Sequence, residues 1–254
     1  MATKFYLPAS GTAGQDPAWS ASWYNATGFT AAKLKAVTTK INSGLVTKSL
    51  TEADITDRHF ASGMWISEPL SAQTIAGGTV ITCSIRCSED NAKNNLSLHW
   101  QIRLLQSDGT TYRGNVIAFT DDTTEAYTSL RSLTGSVTLA ASPGGDVTVG
   151  VGDRLVIEMG IGGDPASGGG SHNSTMSIGE TSAGADLDAS DADTGEDNPW
   201  VNFSNSLTFS GTNMQVDIGD VWKTVSGLQI NIGDAWKAVT HAWVNIGDVW
   251  KTIF

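Results

Sequence analysis

The chain is poor in cysteine and in positive charge, and it has no long hydrophobic run. Two cysteines in 254 residues, Cys83 and Cys87, exclude a disulfide-stapled scaffold. They lie in the run Thr79-Val80-Ile81-Thr82-Cys83-Ser84-Ile85-Arg86-Cys87. On a strand both occupy one face with their Cα atoms roughly 13 Å apart, beyond the limit of about 7 Å for a disulfide. Zinc would need further thiol or imidazole ligands. Two buried free thiols are expected, in a protein that folds in a reducing cytoplasm. The 15 Lys and Arg against 26 Asp and Glu give a net charge of -11, which argues against binding to a nucleic-acid backbone. No apolar stretch approaches the roughly 18–20 residues needed to span a bilayer. The opening Met1-Ala2-Thr3-Lys4-Phe5-Tyr6-Leu7-Pro8 lacks the apolar core of a secretory signal. With 40% hydrophobic and only 16% charged residues, the chain is not disordered and is long enough to bury a core.

What is present is β patterning. Residues 1–60 read as an N-terminal arm that docks the protein, punctuated by Pro8, Gly11, Gly14 and Pro17. Within it, Ala31 to Val37 fits at most a turn or two of helix. Period-2 alternation takes over from about residue 62. Ile81, Cys83, Ile85 and Cys87 alternate with polar residues; so do Leu96, Leu98, Trp100, Ile102 and Leu104. Leu155, Ile157 and Met159 follow the turn Gly152-Asp153, and Trp200 to Phe203 and Leu207 to Phe209 are short late runs. Gly77-Gly78, Asp108-Gly109 and Pro143-Gly144-Gly145 supply turn chemistry between them. Strands at this spacing without helices predict an all-β fold. The expected architecture is a jelly-roll-like β-sandwich over residues 61–211.

The stretch from Gly160 to Asn198 breaks the alternation. Between Arg154 and Lys223 there are 11 carboxylates and no Lys or Arg; removing those 11 from the 26 leaves 15 acids to match 15 bases elsewhere. The acidity is therefore local. Asp186, Asp188, Asp191 and Asp193 belong either to a solvated loop or to a calcium site. The EF-hand pattern fails there, because position six counted from Asp191 is Glu196 rather than Gly.

Residues 212–254 carry three copies of one decapeptide spaced 14 residues apart. Each copy has a Gly-Asp pair between β-branched runs: Val216-Asp217-Ile218-Gly219-Asp220-Val221-Trp222-Lys223, then Ile230-Asn231-Ile232-Gly233-Asp234-Ala235-Trp236-Lys237, then Val244-Asn245-Ile246-Gly247-Asp248-Val249-Trp250-Lys251. Gly-Asp in this setting reads as a two-residue hairpin turn. It pairs Ile218 with Val221, Asp217 with Trp222 and Val216 with Lys223. Hairpins of this size do not stand alone, so a six-strand meander or three stacked hairpins is expected. Trp222, Trp236 and Trp250 recur at one position, where they either contact a glycan or pack against a subunit.

These tandem Ile-Gly-Asp-x-Trp-Lys-x-Val units resemble the short C-terminal repeats of structural proteins of tailed bacteriophages. The opening Met1 to Gly11 and the strand Val151 to Glu158 are similar to segments of virion proteins in such phages. The resemblance implies a non-enzymatic virion component assembled in the host cytoplasm, either a tail fibre or tail-tip adhesin contributing to host attachment, or a head decoration protein. Implied partners are other virion proteins, further copies of the chain (a trimer by preference) and a host surface glycan. A carbohydrate-binding module built on the repeat tryptophans is the rival reading.

Catalytic patterning is absent. His59, His99, His172 and His241 are scattered, and no zinc-hydrolase, nucleophile-elbow or phosphate-loop motif occurs. Gly170-Ser171-His172 reads as loop.

Overall fold

A computed structural model describes residues 2–24, 33–53, 58–91, 96–126, 128–163, 171–180, 184–188 and 198–210, together with six short strands between residues 215 and 252. The chain forms two compact units, Met1–Thr208 and Phe209–Phe254.

In the first unit the strands are β1 Thr3–Tyr6, β2 Lys33–Lys35, β3 Gly44–Ala53, β4 Arg58–Ile66, β5 Gln73–Ile75, β6 Val80–Glu89, β7 Leu96–Leu105, β8 Tyr112–Glu125, β9 Arg131–Thr138, β10 Val147–Val149, β11 Arg154–Gly163, β12 Ser171–Glu180 and β13 Trp200–Phe203. They make an all-β fold with two main sheets, a β-sandwich. One sheet has six strands in the order β1-β13-β6-β12-β3, with β9 on the other edge of β6; the second has five in the order β2-β4-β11-β7-β8. Strand β6 is long enough to hold two neighbours end to end: β13 pairs along Ile81 to Ser84 and β12 along Arg86 to Glu89. Strands β5 and β10 form a separate two-stranded ribbon.

The alternation read from sequence marks the core. Ile81, Cys83, Ile85 and Cys87 of β6 are buried, as are Leu98, Trp100, Ile102 and Leu104 of β7 and Leu155, Ile157 and Met159 of β11. The two sheets meet at Gly135 on β9. A Cβ there would stand 2.7 Å from Nε1 of Trp100 on one sheet and 2.9 Å from Sγ of Cys83 on the other. Both cysteines are free and buried, and burial beside Cys83 pushes the Cys87 thiol well above its ordinary value.

The segment expected as an arm is woven into the body. Strand β1 pairs with β13 and β3 with β12, so residues 1–60 feed both sheets rather than extend from them. Lys33–Lys35, inside the stretch that fits at most a turn or two of helix, is a strand lying parallel to β4. Three residues are too few for either period to show, and pairing with a distant strand decides the conformation.

Strand structure also enters the stretch from Gly160 to Asn198. Gly160 to Gly163 complete β11, and Ser171–Glu180 is β12, held between β3 and β6. Its sequence Ser-His-Asn-Ser-Thr-Met-Ser-Ile-Gly-Glu has two large apolar residues, Met176 and Ile178, both buried. A strand with seven polar residues among its ten, four of them Ser or Thr, leaves almost no hydrophobic signature, which is why this stretch resembled a loop. Ser171 and His172 begin that strand instead of lying in a loop.

Strand β7 is buried on both faces, because residues 12–24 cover the outer face of its sheet. Ala13 and Trp19 pack on Met64, Ile66, Val156 and Leu105. The indole Nε1 of Trp65 donates to the carbonyl of Pro8 at 2.8 Å, and the Tyr24 amide donates to the His59 carbonyl at 2.8 Å.

In the second unit β14 Gln215–Asp217 pairs with β15 Trp222–Thr224, β16 Gln229–Ile232 with β17 Ala235–Ala238, and β18 Trp243–Ile246 with β19 Val249–Thr252, all antiparallel. Each pair is its own two-stranded sheet.

Candidate functional site

The three hairpins share one register. Asp217 stands opposite Trp222, Asn231 opposite Trp236 and Asn245 opposite Trp250. One step away, Val216 faces Lys223, Ile230 faces Lys237 and Val244 faces Lys251. The pairs closest to the turns are Ile232 with Ala235 and Ile246 with Val249. This is the register expected from a two-residue Gly-Asp connection. Cross-strand partners share a face and successive pairs alternate faces. Each tryptophan position therefore shares a face with Asp or Asn, and the Val and Ile positions occupy the other. The side chains of Trp222, Trp236 and Trp250 lie outside the described residues, as do the Gly-Asp turns themselves.

Of the four candidate calcium carboxylates, Asp186 and Asp188 fall among the described residues. Asp191 and Asp193 lie outside the described residues, and Asp188 is exposed. Asp186 is engaged by cations: Lys4 Nζ donates to its Oδ2 at 2.5 Å, Lys40 Nζ sits 2.8 Å from Oδ1, and the Tyr6 hydroxyl donates to Oδ1 at 3.1 Å. Partial burial raises the pKa of Asp186, but the hydrogen bonds from Lys4 and Lys40, the charge of Lys4 and the Tyr6 hydroxyl outweigh it and hold the carboxyl below its ordinary value. Burial and the same carboxylate push Tyr6 up to about 12. Two ammonium groups already neutralise Asp186, so it acts as a clasp tying residues 184–188 to the start of the chain. Among the described residues no group of three or more His, Cys, Asp or Glu side chains is placed to hold a metal.

A cluster that sequence reading missed lies under residues 18–23. Glu158, counted above with the acidic stretch, is fully buried on β11. It pairs with the Arg103 guanidinium, accepts from Gln101 Nε2, and accepts from Trp23 Nε1 at 2.8 Å. Arg103 also donates to the Ala18 carbonyl at 2.7 Å and lies over the Tyr112 ring at 3.6 Å, whose hydroxyl donates to that same carbonyl at 2.9 Å. Burial raises the Tyr112 pKa; the nearby Arg103 charge lowers it and Glu158 raises it, with a net rise. Glu158, Gln101 and Arg103 come from two neighbouring strands in register, Glu158 directly opposite Gln101. The arrangement fixes residues 18–23 on the sheet. Its carboxylate is enclosed and accepts from three protein donors, Arg103, Gln101 and Trp23, which suits a structural clasp rather than chemistry on a substrate.

Two of the scattered histidines converge. His59 on β4 and His99 on β7 have ring centroids 4.5 Å apart, with Phe119 of β8 at 4.8 and 5.7 Å. One of the polar residues that alternate with Leu98 and Trp100, His99 is nonetheless buried, with Nε2 3.1 Å from Ser97 Oγ and Nδ1 3.7 Å from Asp121 Oδ1. Both rings lie over Gly162, where a Cβ would meet His99 Nε2 at 2.5 Å and His59 Nδ1 at 2.7 Å. His172 is in β12 with its side chain outside the described residues, and His241 lies outside them altogether.

No protein-family model and no curated protein sequence matches the chain. Among solved structures it is similar to part of a CocE/NonD family hydrolase from Staphylococcus aureus, at 10% identity and a TM-score of 0.26 over 80% of this chain and 34% of that one. It is also similar to part of infectious bursal disease virus structures of the Gx strain (15% identity, TM-score 0.20, 66% of this chain and 38% of that one) and the Gt strain (16%, 0.20, 69% and 40%). The chain spans between a third and two fifths of the length of these proteins. TM-scores this low place no constraint on what the chain does.

Proposed function

We propose that the chain is a non-enzymatic structural component of a tailed-phage virion, a surface-exposed tail fibre or tail-tip protein that contributes to assembly and host attachment. The observation that carries this reading is the threefold hairpin repeat in one register. A free two-stranded ribbon leaves its strand edges and one apolar face uncovered. Three copies in one chain multiply that demand, and further copies of the protein meet it naturally around a symmetry axis, with a three-fold favoured. Many weak contacts on a particle then gain strength by avidity. Other virion proteins are its partners, and assembly takes place in the host cytoplasm, where the two thiols of β6 stay reduced.

The jelly-roll form of the sandwich belongs to the same proposal. Its support is the strand order: numbering β3, β4, β6, β7, β8, β9, β11 and β12 from one to eight, the first sheet contains 1-8-3-6 and the second 2-7-4-5. Two Greek keys wrapped across a sandwich produce that order. A crystal structure of residues 1–211 in which these eight strands paired otherwise would remove it.

Light scattering on the full chain and on the chain lacking residues 212–254 tests the assembly role. An oligomer that becomes a monomer supports it. An unchanged mass refutes it.

A further inference from the structure

We infer that the tryptophan-bearing face of the hairpins is a glycan-binding face for a neutral polysaccharide, with one sugar contact per hairpin. This deepens the attachment role proposed above and rests on that reading for the source of the glycan, a bacterial surface.

The two faces of each hairpin differ in composition. In all three hairpins the register groups the tryptophan with a carboxamide or carboxylate: Trp222 with Asp217, Trp236 with Asn231, Trp250 with Asn245. The next pair on that face is Gln215 with Thr224, Gln229 with Ala238 and Trp243 with Thr252. The opposite face carries Val216, Ile230, Ile232, Val244, Ile246 and Val249, interrupted by the lysines. A face meant only for burial would collect its largest apolar residue with its β-branched ones. Here the largest residue is segregated with hydrogen-bonding groups, three times over.

A pyranose ring has an apolar C–H face and a rim of hydroxyls. An aromatic surface matches the first, and Asn or Gln, with both donors and acceptors, matches the second. Charge narrows the class. Asp217 on the same face opposes an anionic polymer, and Lys223, Lys237 and Lys251 occupy the other face, so no cation is placed beside the tryptophan positions in these pairs. Equivalent positions repeated every 14 residues suit a polymer with repeating sugars. Linked weak sites reach an avidity about 10²–10⁴ above one site, so binding depends steeply on the number of intact repeats.

The test is a glycan array of neutral hexose and N-acetylhexosamine oligomers, probed with the full chain, with oligomer mass measured in parallel. The wild-type chain binds at least one oligomer series, and more strongly as the oligomer lengthens. Trp236→Ala with Trp250→Ala lowers apparent affinity at least tenfold with unchanged mass. Asn231→Ala with Asn245→Ala, which removes hydrogen-bonding groups and leaves the indoles, weakens binding in the same series. No wild-type binding to any neutral oligomer overturns the inference, as does binding unaltered in both variant pairs. Loss of the oligomer together with binding in both pairs assigns this face to packing and also overturns it. A wild-type chain that binds glycan as a monomer upholds the inference while refuting the assembly role.

Discussion

Glu158 on β11 and Arg103 on β7 form an ion pair with no solvent access to the carboxylate, roofed by Trp23 from the N-terminal segment. The pair ties together two strands of one sheet and the chain that crosses them. Its value is registry: Arg103 reads the Ala18 carbonyl and Glu158 reads the Trp23 indole, so residues 18–23 can seat in one position only. Breaking such a pair from one side leaves an uncompensated buried charge, at a cost of about 3–5 kcal/mol. Arg103→Met should therefore destabilise the first unit by that order in urea unfolding followed by tryptophan fluorescence. The double replacement Arg103→Met with Glu158→Leu should recover most of the loss. Equal destabilisation by the single and double variants would contradict the account.

Gly135 keeps the two sheets at their observed separation. A methyl group there meets Trp100 and Cys83, both buried in the interior, and overpacking of this kind costs about 1–3 kcal/mol. Gly135→Ala is expected to lower stability by that amount, whereas Gly114→Ala, where a Cβ meets nothing within 4 Å, is expected to change it by less than about 0.5 kcal/mol. Thermal unfolding of the two variants side by side gives the comparison.

The Asp186 clasp carries a pH signature. Its carboxyl pKa is depressed in the folded chain, so its contribution is fully present above the unfolded value of about 3.9 and disappears as pH falls through the folded value. Wild-type stability should drop below about pH 4 by more than that of Asp186→Asn, which has already lost the ion pairs to Lys4 and Lys40. The difference between the two proteins should vanish at the acid end of the titration. A difference that persists there would mean that something other than the charge of Asp186 holds residues 184–188.

Cys83 and Cys87 should be silent in the native protein. Both are fully enclosed on β6, and the raised Cys87 pKa removes the reactive thiolate. A thiol-specific chromogenic reagent should modify neither in buffer and both in denaturant. Fast modification of the folded chain would place β6 at the surface.

The parts of the fold that the sequence made legible are those where pattern and partner are local. The alternation of β6, β7 and β11 identified the inner faces, and the hairpin register followed from a two-residue turn between equal strands. Asp108-Gly109 was equally readable: Gly109 has a φ of 77° and Asp108 Oδ1 accepts from the amides of Thr110 and Thr111. A hydrogen bond from the Thr111 side chain, followed by those from the Thr110 and Thr111 amides, pulls the Asp108 carboxyl down to about 2. What stayed hidden depended on distant partners. His99, Gln101 and Arg103 carry the polar signature of a solvent face, yet residues 12–24 bury it; nothing near them announces that cover. Glu158 looked like one more acid in an acidic run because its cation is 55 residues away. Strand β12 was invisible because polar residues fill the places where alternation is normally read.

The central claim is that the C-terminal hairpins hold copies of the chain together, and the mass of Val216→Asp, Ile230→Asp, Val244→Asp protein tests it most directly. Light scattering should show an oligomer for the wild-type chain and a monomer for this variant, with the first unit still folded by its thermal transition. An oligomer of unchanged mass in the variant, or a monomeric wild-type chain at the same concentration, would contradict it.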